Sequence, residues 1–212
     1  MRKSLTLSLK KQITQKWNEQ FPSMGVYKPM WLMNICGPLA VGIALLVKSD
    51  KTVYEPVFHI HNLCKDSEAV SLNVPIDALY IYADDTRNEY LEVSKKFKES
   101  SYIPIDGDVS LIALIESLKK HFDITCFKSN LLQIMAYLAV WSGVEEVFND
   151  VKRFIENKLN DCSEMFGTEA VRKEFTETLP QSIDECEKMR VIVKEQEEKL
   201  KLTNLPHRKM II

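Results

Sequence analysis

The chain has 212 residues, 45% of them hydrophobic and 27% charged, so it can bury a full core without disulfides or a structural metal. Its 28 basic and 30 acidic residues give a formal net charge of -2, which provides no electrostatic reason to bind nucleic acid or an anionic membrane. The five cysteines form no CxxC pair, which argues against a disulfide framework or a zinc ribbon. Because no apolar signal segment opens the chain, we expect a cytoplasmic protein with reduced thiols.

The first predicted element is a helix whose apolar face repeats every four residues, at Leu5, Leu9, Ile13 and Trp17. An apolar stretch over residues 30–47 then approaches the length of a membrane span. Pro38 stands in its middle and would break a helix there. We therefore predict a short helix beginning at Pro29, a buried strand over residues 39–47, and no membrane span.

Two successive runs rich in β-branched and aromatic residues, 39–47 and 52–62, predict a β-hairpin. Pro56 in the second run cannot donate to a ladder, which indicates an edge strand or a bulge. A strand, a helix and an extended piece follow one another over residues 79–105 and predict a βαβ unit. The N-terminal half is thus expected to form a small mixed sheet.

From about Ser129 onward the apolar period is helical, so the predicted fold class is α+β with a helical C-terminal half. We divide the chain into three parts, an α+β core region, a helical region that packs on it or binds a partner, and a frayed tail, at residues 1–127, 128–203 and 204–212.

The strongest candidate for chemistry is the pair His59 and His61, followed by Cys64. Residues two apart on a strand point to one face, so both imidazoles could hold a metal ion with the thiolate as third ligand. The interpretation that we favour places Phe58 and Ile60 in the core and the histidines on the wetter face of an edge strand. On that interpretation we expect no metal and no cofactor.

Aspartates follow two predicted strands, as Asp84 with Asp85 and as Asp106 with Asp108. Paired carboxylates could hold Mg²⁺, but helix capping explains them more simply. Small basic clusters at 95–98 and 119–121 are explained in the same way by the helix dipole.

The last predicted helix carries a narrow apolar stripe between densely charged faces, typical of a coiled-coil seam. Its members Met189, Val193 and Leu200 are the candidate partner-binding residues, toward another protein or a second copy of this chain. The alternative is that the stripe packs on the preceding helices.

No P-loop, dinucleotide fingerprint, nucleophile elbow or kinase motif occurs in the chain. We therefore predict a non-enzymatic accessory or inhibitory subunit that acts by binding a partner protein. One alternative is a metal-dependent hydrolase or nuclease that uses His59, His61 and an acid such as Asp84. The other is a nucleic-acid-binding accessory factor.

Overall fold

A computed structural model describes residues 4–76, 80–85, 87–125, 127–161 and 167–212. The strands are β1 Gly25–Lys28, β2 Trp31–Cys36, β3 Leu39–Val47, β4 Val53–Asn62, β5 Asn73–Ile76, β6 Ile81–Tyr82, β7 Val109–Ser110, β8 His207–Arg208 and β9 Met210–Ile211. The helices are α1 Leu7–Gln20, α2 Glu89–Ser100, α3 Leu111–His121, α4 Lys128–Ser142, α5 Glu145–Asp161, α6 Glu169–Glu177 and α7 Cys186–Lys199. The chain is α+β, as predicted.

The main sheet has the order β1-β2-β3-β4-β5, with all neighbours antiparallel. The predicted hairpin of β3 and β4 is confirmed, with pairs running from Leu39↔Asn62 to Val47↔Tyr54. Strand β6 pairs antiparallel with β4, and β8 pairs parallel with β2. The sheet is therefore mixed, and its parallel strand comes from the C-terminal end of the chain.

The short helix predicted from Pro29 is wrong, because Trp31–Cys36 forms strand β2 against β3. The left-handed Gly37 (φ 54°) and Pro38 make the turn between the two strands. Both faces of β2 are covered, so its residues do not alternate between polar and apolar. A short apolar run of this kind is compatible with a buried helix and with a buried strand, so periodicity does not distinguish them.

Strand β4 is not an edge strand, which corrects the first alternative expected from Pro56, although its pairing with β5 is irregular between Phe58 and Ile60. Its first residues pair with β6 and its later residues, from Phe58, pair with β5. Pro56 lies between these two segments, at a point where neither β5 nor β6 pairs with β4. A residue without an N–H is tolerated there because no ladder bond is required of it.

The predicted βαβ unit does not form. Strand β6 belongs to the main sheet, and the extended piece that ends at residue 105 forms no strand. The next strand, β7, pairs with β9 in a separate two-stranded parallel sheet. Leu79 of the predicted strand and Thr86, the expected cap of the helix that follows, lie outside the described residues.

The tail is ordered into β8 and β9, so the expectation that it frays is wrong. The Ile35 N–H donates to the Pro206 carbonyl at 2.9 Å, which places the tail beside β2. The Arg208 guanidinium donates to the carbonyls of Pro104 and Gly107 at 2.6–2.9 Å. These bonds join the end of the chain to its middle.

The centre of the main sheet, strands β2 to β4, is buried on both faces. One face packs against α1 to α5 around residues such as Trp17, Phe58 and Phe97. The other face, which includes Met33 and Ile35, packs against α7 and part of α4. Helix α4 contributes to both layers, and the division of the chain at residue 127 stays a prediction.

The apolar stripe of α7 faces this second layer. Met189, Val193 and Leu200 are only 3%, 3% and 5% exposed. The structure thus favours internal packing over a free partner-binding seam. Within the described part of the chain, no helix has the length and apolarity that crossing a membrane would require.

Candidate functional site

His59 and His61 lie inside the protein, with exposures of 0% and 2%. They point to the α7 side of the sheet, while Phe58 and Ile60 point to the other side. The core assignment of Phe58 and Ile60 was correct, but the expectation of a wetter face for the histidines was wrong. A strand buried on both faces can place polar residues in the interior on every second position.

Each imidazole accepts a hydrogen bond. The Trp31 indole N–H donates to His59 Nε2 at 2.7 Å. The Ser71 backbone N–H donates to His61 Nδ1 at 3.0 Å. Both rings are therefore neutral, since a protonated ring has no free lone pair. Burial, together with neighbouring His61, lowers the pKa of His59 to about 3, and burial lowers the pKa of His61 to about 4.

The described residues do not assemble the proposed metal site. They contain no group of three His, Cys, Asp or Glu side chains placed to hold a metal ion. Burial raises the pKa of the Cys64 thiol, which opposes the thiolate that a metal needs. Asp84 lines a cavity beside Tyr54, on the opposite face of the sheet from His59 and His61. Asp84 therefore cannot act together with His59 and His61.

Gly42 lets His59 reach Trp31 across strand β3. Gly42 pairs with both Met33 and His59, so it lies directly beneath the imidazole. A Cβ at Gly42 would lie 2.9 Å from His59 Nε2 and would overlap the Leu32 carbonyl oxygen. A side chain at this position would therefore separate the two rings.

We accordingly expect Gly42→Ala to lower the free energy of unfolding by about 1–3 kcal/mol, because the backbone oxygen cannot move aside without distorting β2. Urea denaturation at neutral pH measures this loss. A variant as stable as the parent would show that the strands have room at this crossing.

Of the four aspartates, Asp85 caps a helix as expected, whereas Ser110 and not Asp106 or Asp108 caps α3. The Asp85 carboxylate accepts from the backbone N–H groups of Glu89 and Tyr90 at 2.9 and 3.3 Å, at the start of α2. Asp106 and Asp108 are exposed near Arg208. The two pairs therefore serve separate parts of the fold.

A surface depression of about 290 Å³ lies in front of the Trp31–His59 pair. We call it the Trp31 face, and it is lined by Tyr27, Lys28, Trp31, Glu68, Ala69, Val70, Lys199, Leu200 and Lys201. The Lys28 ammonium lies 4.4 Å from the Trp31 ring centroid, and Tyr27 meets Trp31 edge to face at 5.7 Å. The Tyr27 hydroxyl donates to the Leu200 carbonyl at 3.1 Å, which links β1 to the end of α7.

Lys201 on the Trp31 face has a left-handed backbone, with φ 58°. It follows the C-cap of α7 in a Schellman motif, since the Leu202 N–H donates to the Glu197 carbonyl at 2.8 Å and the Lys201 N–H to the Glu198 carbonyl at 3.1 Å. Glycine is the favoured residue there, because a residue with a Cβ loses about 1 kcal/mol of stability in the left-handed conformation. Lys201 therefore occupies a position that disfavours a lysine.

A second left-handed residue adjoins the same face. Met30 (φ 72°) immediately precedes Trp31, and its N–H donates to the buried Thr14 hydroxyl at 2.7 Å. The Leu45 N–H donates to the Met30 carbonyl at 2.8 Å. These bonds hold the strained turn that carries Lys28 and Trp31.

Sequence reasoning did not identify the Trp31 face as a site. The stretch that supplies Tyr27, Lys28 and Trp31 is rich in aromatic residues, and that was its only local signal.

Comparison of the chain with protein-family models, with curated proteins and with solved structures finds no match in any of the three.

Proposed function

We propose that this protein acts by binding a partner protein and not by catalysis, and that the Trp31 face binds an acidic segment of that partner. The observation that carries the proposal is Lys201, held in a strained backbone beside Lys28 and two aromatic rings. Strained backbone of this kind clusters at functional sites, and it persists only where the surrounding structure holds it in place.

The charges of the Trp31 face support an acidic partner. Lys199 is already paired with Asp66 at 2.7 Å and with Glu68 at 2.6 Å. Lys28 and Lys201 form no ion pair with any described residue. Two ammonium groups that form no ion pair suit a segment that carries carboxylates.

The same face is less suited to nucleic acid. Single-stranded nucleic acids bind by stacking bases on open aromatic rings. Lys28 covers the Trp31 ring, Tyr27 meets its edge, and its N–H is used by His59. Elsewhere, the basic helix end at Lys119 is neutralised by Glu116 and Asp150.

The test is to capture the partner from its native cells by crosslinking, and to measure the affinity of the two purified proteins by calorimetry. Replacing Lys28 and Lys201 together by Glu should weaken binding at least about tenfold, because both charges then repel the acidic segment. Lys188→Glu, on the exposed side of α7, is the matched control and should leave the affinity unchanged.

An unchanged affinity in the double variant would exclude the Trp31 face as the binding site. Tight binding of single-stranded nucleic acid, steeply weakened by salt and abolished in the double variant, would favour the accessory-factor alternative.

Lys201→Gly should change partner binding and stability in opposite directions. We expect it to raise the free energy of unfolding by about 1 kcal/mol, because glycine relieves the left-handed strain, while it weakens partner binding. Lys201→Ala is the control, since it removes the ammonium group without relieving the strain. Urea denaturation and calorimetry measure the two effects, and a Gly variant that binds normally would contradict the role of this lysine.

A further inference from the structure

A second cavity, of about 310 Å³, opens between α1, the start of β4 and the start of α2. We call it the Tyr54 cavity, and its polar or aromatic walls include Lys16, Trp17, Tyr54, Asp84 and Tyr90. It lies on the face of the main sheet that packs against α1 to α5, opposite the face that α7 covers and away from the Trp31 face. Its volume falls at the small end of the range for sites that bind small molecules.

The Tyr54 hydroxyl is a buried donor without an acceptor. Tyr54 is only 2% exposed, and its oxygen accepts the Trp17 indole N–H at 3.2 Å. No described residue accepts a hydrogen bond from the Tyr54 hydroxyl in return. A buried donor normally has a partner, so this hydroxyl lining a cavity points to a ligand that accepts from it.

Two opposite charges line the same cavity without pairing with each other. Neither Asp84 nor Lys16 forms an ion pair with a described residue, while the neighbouring Asp85 is occupied by the backbone of α2. The Lys16 ammonium lies 5.6 Å from the Tyr90 ring centroid. The cavity thus offers one cation, one hydroxyl donor and two carboxylates, of which Asp85 already accepts from the start of α2 and Asp84 is left for a ligand.

We infer that the Tyr54 cavity binds a small zwitterion of the amino-acid class. The carboxylate of the ligand accepts from the Tyr54 hydroxyl and pairs with Lys16. The amino group of the ligand pairs with Asp84, beside the aromatic ring of Tyr90. A molecule with only one of the two charges leaves either Asp84 or Lys16 without its partner.

The experiment screens the twenty protein amino acids against the full chain at about 10 mM by thermal shift, followed by calorimetry on those that raise Tm. At least one amino acid should bind, while acetate and methylammonium, each with a single charge, should bind at least about tenfold more weakly. Asp84→Asn and Lys16→Gln should each weaken the bound amino acid about tenfold or more, since each removes a charge-assisted contact.

Tyr54→Phe should weaken binding as well, but it also leaves the Trp17 N–H without an acceptor, so its fold is checked by circular dichroism. Asp161→Asn, an exposed aspartate on α5, is the matched control and should bind normally. The proposal is overturned if no amino acid binds the folded chain, if acetate binds as tightly as the amino acid, or if Asp84→Asn and Lys16→Gln leave the affinity unchanged.

Discussion

Lowering the pH from 7 to 5 should cost the folded protein about 4 kcal/mol through His59 and His61 alone. The pKa values of about 3 and about 4 in the folded state lie below the ordinary value of about 6.5 that histidine has in an unfolded chain. The unfolded chain therefore binds protons first. The stability contributed by neutral imidazoles is intact above pH 6.5 and is lost as the pH falls toward the folded values.

Urea denaturation between pH 7 and pH 5 measures this loss. His61→Gln should remove about half of the pH dependence, because glutamine does not titrate in this range. A stability that stays flat from pH 7 to pH 5 in the parent would show that the buried imidazoles accept protons without opening the fold.

Val193→Glu should destabilise the fold by about 3 kcal/mol or more, because it places an unpaired carboxylate in the layer between α7 and the sheet. Val193 is 3% exposed and packs in an apolar cluster with Met189 and Val140. Val191→Glu is the matched control, since Val191 is 55% exposed on the same helix. That variant should change stability by less than about 0.5 kcal/mol.

Chemical denaturation of the two variants gives the comparison directly. If Val193→Glu remained as stable as the parent and lost a partner, the apolar stripe of α7 would be an exposed interface after all. If Val191→Glu lost the partner instead, the binding surface would lie on the outer side of α7 and not on the Trp31 face.

The features predicted correctly from the sequence depend on local chemistry. Ser182 and Glu185, three positions apart, form a capping box before α7, and Gly143 ends α4 in the left-handed conformation. The predicted β3–β4 hairpin turns at the polar residues 49–51. In each case the deciding residues lie within a few positions of one another.

The errors arise where distant parts of the chain decide the outcome. His59 is buried because α7 covers its face of the sheet, and Trp31, 28 positions earlier, supplies its hydrogen bond across β3. The Trp31 face depends on Tyr27 meeting Leu200, which is 173 positions later. Hydrophobic periodicity describes one helix or strand at a time, so it predicts neither of these long-range contacts. Strands β8 and β9 were missed because a strand of two residues is too short to show a hydrophobic period.

The order in which a ribosome delivers the chain gives the C-terminal segment a further role. Strands β2 to β4 leave the exit tunnel long before α7 and β8, so the sheet face that carries Met33 and His59 has no cover during most of synthesis. A long-lived exposed apolar face of this kind recruits chaperones or aggregates. We therefore expect the yield of folded protein to fall when chaperones are depleted during its synthesis.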